Sequence, residues 1–366
     1  MVIVKVLVFA MGAMLVLITL RSAFRTLIVP RPLRATLSRF VFVWLRRVFW
    51  LRANHRHSYE RRDRVMAFYA PLSLFTLLGV WLTLVVAGYT AMFWAVGHGS
   101  LRDSFTESGS SLLTLGFAQE RALPAVILAF TEAVLGLTLL ALLITYLPSL
   151  YQGFQRREAG VSKLEVRGGK PPSGTYLIEL SWIVGHMGNL TELWRSWEDW
   201  FVDVDETHTS YPALGFFRSP HPDESWITAA GAVLDAASLY VAAVDVDSPP
   251  EPEFMIRAGY LCLRHIAEFF QIPFDPDPRP DDAISITREE FDTACDHMAA
   301  AGVPIVADRD RAWRDFAGWR VNYDNPLIGL ARLVMAPYAP WSSDRYPDGH
   351  YIPPAFPGLR RKRTRA

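Results

Sequence analysis

Residues 110–119 read SSLLTLGFAQ and sit between two long apolar runs. Thr114 brings a hydroxyl, and Gly116 brings a backbone that turns left-handed without a Cβ penalty. Peptide carbonyls released from helical bonding are strong oxygen ligands. At membrane depth such backbone is tolerated only where protein buries it or where it lines a cavity. A second group is Glu132, inside the apolar run that follows. It lies about nine residues past Leu123, about 14 Å at helical rise, near a bilayer midplane. An ionisable residue at that depth faces a cavity or a buried partner. Gly136 is one turn further on the same face. Oxygen ligation of a cation, without bond making or breaking, is the chemistry these types can do.

The elements that must position them are read from hydropathy. The chain has 366 residues, 51% hydrophobic, with net charge 0. That neutrality argues against a nucleic-acid binder. Three segments reach the roughly 20 apolar residues a span requires. They are Met1 to Leu20, Met66 to Val96, and Leu123 to Leu147, the last stopped by Pro148. A cleaved signal peptide is the competing reading of the first, but an Arg-rich segment follows it and no small-residue cleavage site does. Residues 31–64 hold ten arginines against Glu60 and Asp63. The positive-inside rule makes that loop cytoplasmic. The 98–122 connection is then external, and Arg156, Arg157, Lys163, Arg167 and Lys170 return the chain inside. The expected topology is a multi-pass protein of the plasma (inner) membrane, N-terminus outside and C-terminal domain cytoplasmic. LSRFVFVWLRRVFWLRANHR mixes arginines with Phe40, Trp44, Val48 and Leu51, which predicts an amphipathic helix on anionic inner-leaflet lipids. The alternative is a solvated continuation of the first helix.

Within the external connection, Leu101, Phe105, Leu112 and Leu113 have helical spacing. The order becomes span, short helix, Gly-containing loop, span. With Ser111-Leu-Leu-Thr-Leu-Gly-Phe117 at that place, and Glu132-Ala-Val-Leu-Gly136 in the last span, residues 66–157 resemble the pore module of tetrameric potassium channels, especially bacterial ones with one pore loop per subunit. The resemblance covers about a quarter of the chain. It implies a homotetramer in which Thr114, Leu115, Gly116 and Phe117 present oxygens to a dehydrated monovalent cation, potassium or another. Phe117, in place of tyrosine, would keep aromatic packing behind this filter. Ala118, Gln119 and Glu120 would form its mouth. Ala118 departs from the glycine of the family. A left-handed alanine costs about 1–2 kcal/mol, so four copies cost about 4–8 kcal/mol, and the outermost ring is expected to take another geometry or a bond flipped outward. Gln119 stands where such filters carry an acid. The motif therefore leaves selectivity open. Glu132 would lie in or behind the cation cavity, or be hydrogen-bonded, protonated, to the short helix. Gly136 would be a hinge or a close-packing point.

The expected fold class is an all-α membrane protein: three transmembrane helices, a re-entrant pore helix with filter, and a cytoplasmic α-helical domain. Its divisions are a first helix (1–30), a basic amphipathic segment (31–64), a pore module (65–157, loop 101–119), a linker (158–175), a helical domain (176–340) and a Pro-rich, basic tail (341–366). In the helical domain, TYLIELSWIVGHMGNLTELWRSWEDWF reads as one amphipathic helix. ITAAGAVLDAASLYVAAV reads as a buried helix and not a fourth span, because of Asp235 and its alanines. Further helices are expected at 253–271, 287–301 and 310–336. No GxGxxG, P-loop or HExxH occurs. His221-Pro-Asp-Glu224 reads as a helix start. His186, His265 and His297 lack metal-ligand spacing, Cys262 and Cys295 read as buried thiols, and the Asn189 sequon is irrelevant inside a cell. No cofactor and no enzymatic activity are expected. The reading is a cation channel; the alternative is a non-conducting membrane-anchored scaffold or sensor.

Overall fold

The computed structural model describes residues 2–29, 36–53, 58–97, 99–118, 122–185, 187, 190–247 and 249–345. The protein is 77% helix, with no strand among the described residues. Among the described residues, four helices are long and apolar enough to cross a membrane. The chain divides into two compact units. The described part of the first lies within 1–48 and 69–150, and that of the second within 49–68 and 151–345.

In the first unit, α1 (Val2–Leu27) packs along α4 (Tyr69–Val96). Glycines set their approach: a Cβ on Gly12 would stand 2.4 Å from the Gly88 carbonyl. Small residues of this kind let apolar helices approach closely where water drives nothing together. Lys5 donates to the Gly97 carbonyl at 2.8 Å, satisfying the negative end of α4. α2 (Thr36–Arg52) is a separate helix, not a continuation of α1. It buries Val41, Leu45 and Arg46 and turns Phe40, Trp44, Val48 and Leu51 outward on the opposite face. α3 (Tyr59–Ala67) precedes α4, so the expected span starting at Met66 is divided by Phe68.

α5 (Leu101–Leu112) begins with a capping box between Ser100 and Asp103. α6 (Leu123–Gly168) then runs unbroken for 46 residues. This corrects two expectations, a stop at Pro148 and a linker from 158. Proline removes one amide donor from the helical ladder, a single loss that a long apolar helix tolerates. Thr145 donates to the Ala141 carbonyl at 3.1 Å and Ser149 to the Thr145 carbonyl at 3.3 Å. The turn comes only at Gly169, whose φ is 76°.

The second unit is built around α9 (Trp226–Ala243), of which the most apolar window is 94% buried, against 17% for α1. That difference separates a core helix from an outward-facing one. α7 (Gly174–Ile183) and α8 (Leu190–Ser210) replace the single helix expected there; Gly185, at φ 71°, lies in the break. α10 (Glu251–Phe270) and α11 (Arg288–Ala300) fall within a few residues of expectation. α12 (Arg309–Arg320) and α13 (Asp324–Val334) replace one helix at 310–336. Asn322 takes the Gly318 carbonyl at 2.9 Å with its side chain, competing with the helical ladder. His221 to Glu224 precede α9 without entering it. Instead Lys170 gathers Glu165 at 2.7 Å and Asp223 at 3.1 Å.

Two buried arginines organise this unit. Arg320 pairs with Asp235 and Asp324 and donates to the Trp341 carbonyl. Arg157 bonds Glu158, the carbonyls of Leu214 and Phe217 at 2.8 Å each, and His208 Nε2 at 3.1 Å. His208 Nδ1 donates to the Val204 carbonyl at 3.0 Å, so Nε2 is the acceptor and the ring is neutral. Burial, then the Arg157 charge, hold His208 well below the usual histidine range. In the unfolded chain His208 binds a proton below about pH 6.5 while the folded chain does not. Stability is therefore fully present above that pH and falls as pH drops. Denaturant titrations from pH 7.5 to 5 should show this loss, and His208→Gln should flatten it; equal slopes for both proteins would refute the assignment.

Candidate functional site

The loop that follows α5 holds the residues singled out from sequence. Its start is fixed by α5 itself: Leu113 N–H bonds the Gly109 carbonyl at 3.2 Å, Thr114 N–H the Ser111 carbonyl at 3.1 Å, and Leu115 N–H the Ser110 carbonyl at 2.8 Å. Thr114 and Gly116 then take positive φ, 53° and 71°, while Leu115 and Phe117 do not. The backbone hand thus alternates over four residues. Alternation turns successive carbonyls toward one side of the chain, the arrangement that cation ligation by peptide oxygens needs. Thr114, Leu115, Gly116 and Phe117 are all exposed in the single chain, Phe117 by 68%. Among the described residues, no element covers the Phe117 ring, so the aromatic packing expected behind it is absent there.

Ala118 does not take the left-handed backbone whose cost was weighed from sequence. Its φ is not positive, and its N–H donates to Ser110 Oγ at 3.2 Å. The left-handed strain falls on Thr114 instead, at about 1–2 kcal/mol. Gln119 and Glu120 lie outside the described residues, as do His186, Asn189 and the basic tail.

α5 turns most of its apolar row outward. Leu101, Phe105 and Leu113 are exposed, while Ser104, Glu107, Ser108 and Ser110 are buried together with Leu112. In apolar surroundings the cheap face to expose is the apolar one, and hydroxyls turn inward to protein partners. Ser108 carries the key contact. Its hydroxyl lies 2.5 Å from Glu132 Oε1 and 3.2 Å from the Val86 carbonyl, so one side chain joins α4, α5 and α6. Glu132 is wholly buried, and its Oε2 has no hydrogen-bond partner among the described residues. One residue before it, Thr131 receives the Tyr89 hydroxyl at 3.1 Å. Gly136 lies under the end of α5: a Cβ there would meet the Leu112 carbonyl at 2.4 Å. α6 runs through Gly136 as one helix, and the contact makes this glycine a close-packing point.

Sequence reasoning missed Ser108 and Ser110. A signal existed in Ser104 and Ser108, four residues apart on a helix between apolar runs, one turn from Glu107. Among the described residues no group of three His, Cys, Asp or Glu side chains is placed to hold a metal ion. Both cysteines are buried.

Comparison with known proteins finds no matching family model, no curated relative and no solved structure of similar fold.

The Gly136 contact is testable in purified protein. Gly136→Ala should cost about 1–3 kcal/mol, as overpacking does, read as a lower thermal midpoint in detergent. Gly79→Ala, where a Cβ meets nothing within 4 Å, is the control. Equal midpoints for the two variants would show that the close approach is unimportant.

Proposed function

We propose that the chain is one subunit of a homotetrameric membrane cation channel that conducts potassium, with a cytoplasmic helical domain attached. α1, α4 and the first part of α6 are the spans, α5 is the pore helix, and residues 114–117 are a quarter of the filter. The observation that carries this reading is the alternating backbone hand at Thr114 and Gly116, in a short exposed loop between a capped helix and a long apolar one. One chain supplies too few oxygens to replace a cation's water shell; four copies around an axis supply rings of them. The exposure of Leu115 and Phe117, at 59% and 68%, supports the same reading, since apolar loop residues call for cover from neighbouring copies.

The outward row of α6 supports it further. Leu123, Ile127, Phe130, Val134, Leu137 and Ile144 are exposed at steps of three, four and seven residues. That is the seam of a helix which packs against copies of itself. Lipid is the remaining partner. The exposed stripe of α2, flanked by Arg47 and Arg52, suits an anionic inner leaflet.

Rubidium and sodium flux into proteoliposomes tests the proposal. Wild type should pass rubidium, and Gly116→Val, which forces a β-branched residue to a φ of 71°, should abolish it. Ala118→Gly should leave selectivity unchanged, because Ala118 is not left-handed. In the same vesicles a fluorophore at position 44 should be quenched by brominated lipid. Equal flux for wild type and Gly116→Val would remove the filter assignment and leave the non-conducting scaffold or sensor. An unquenched label would remove the lipid contact of α2.

A further inference from the structure

Asp235 lies inside the core helix α9 with its side chain only 3% exposed, yet it is not fully paired. Arg320 Nη1 and the Tyr323 hydroxyl, the latter at 2.9 Å, both donate to Oδ1. Oδ2 has no hydrogen-bond partner among the described residues. The other carboxylate on the same guanidinium differs. Asp324 Oδ1 takes Arg320 Nε at 2.8 Å and the Ser285 hydroxyl at 2.6 Å, and its Oδ2 takes the Ser285 amide at 2.9 Å. One guanidinium thus serves two buried carboxylates, and the group carries one negative charge in excess. A buried charge calls for a partner. Burial pushes the Asp235 carboxyl above its usual range even with Arg320 beside it.

There is room for that partner. Asp235 lines a cavity of about 570 Å³ between the start of α7, α11 and the turn at 340–341, wholly within the second unit. Cavities of about 300–1,000 Å³ with apolar walls and a few convergent polar groups take small organic molecules. Tyr176, Ala294, Pro340 and Trp341 supply apolar wall, and Glu179 and Glu289 add carboxylates. Among the described residues no lysine or arginine lines it. The walls therefore select for positive charge. A bare metal ion fits poorly, because no group of three His, Cys, Asp or Glu side chains among the described residues is placed to hold one. Aromatic residues beside a carboxylate suit an organic ammonium instead.

We infer that this cavity binds a small organic amine, its ammonium group paired with Asp235 Oδ2 and its apolar body against Tyr176 and Trp341. Arg320 holds both ends of that contact, since its Nη2 donates to the Trp341 carbonyl at 2.5 Å. The site is independent of ion conduction and stands whether or not residues 114–117 form a filter.

Calorimetric titration of the full chain in mild detergent at neutral pH tests this. The probe is tyramine, and its neutral match is tyrosol, which carries a hydroxyl in place of the ammonium. Tyramine should bind saturably, one molecule per chain, and about tenfold or more tighter than tyrosol, as a hydrogen bond to a charged group provides. Asp235→Asn should bring tyramine down to the affinity of tyrosol. Thr293→Trp fills the cavity from an exposed position on α11, outside the Arg320 group, and should abolish binding of both. The inference is overturned by equal affinities for tyramine and tyrosol, by no saturable binding of tyramine, or by binding that survives Thr293→Trp. Displacement of tyramine by calcium chloride beyond that by sodium chloride at equal ionic strength would overturn it as well, in favour of an inorganic cation.

Discussion

Ser108, Glu132 and the Val86 carbonyl meet at one point, and the placement of the 113–118 loop depends on it. A carboxyl and a hydroxyl inside an apolar bundle have no water to turn to. Each must find a partner in the protein, and the partners lie on three different helices. That requirement fixes the rotation of α5, which then buries its serines and Glu107 and exposes its leucines and Phe105. With α5 fixed, the amides of 113–115 close on its last carbonyls, and the chain leaves with Thr114 and Gly116 left-handed. Gly136 matters for the same reason: it lets the end of α5 come down onto α6.

The second unit solves the opposite problem. It has a large apolar core around α9 and places two arginines inside it. Arg320 ties α9, α12, α13 and the Trp341 loop; Arg157 ties the end of α6 to α8 and to the turn after it. Both guanidiniums spend several donors on backbone carbonyls or carboxylates, the condition under which a buried charge is tolerated. The arginines thus act at junctions between helices, where geometry must be held and apolar contact alone would allow sliding.

How much of this was legible in the sequence follows from what each signal measures. Hydropathy located α1, α4 and the start of α6, because burial in an apolar phase needs only composition and length. α9 was readable as a core helix from Asp235 and its alanines. The rotation of α5 was not, because apolar spacing shows that a face exists and leaves open which way it points. Pro148 misled because its helix-breaking effect is weighed for water, where a freed carbonyl has other partners. The breaks after Ile183 and Arg320 depend on Gly185 and on the Asn322 side chain, local competitions that periodicity does not register. Arg157 was counted as a charge that orients the chain, yet it is fully buried. At the loop, the left-handed backbone at Gly116 was legible, and the one at Thr114 was not.

The central claim is that residues 114–117 form a site only when copies of the chain share an axis. Native mass spectrometry of the full chain released from mild detergent measures this directly. The account predicts a tetramer, lost when exposed seam residues such as Val134 and Leu137 are changed together to glutamine. A monomer or dimer as the sole species would contradict it.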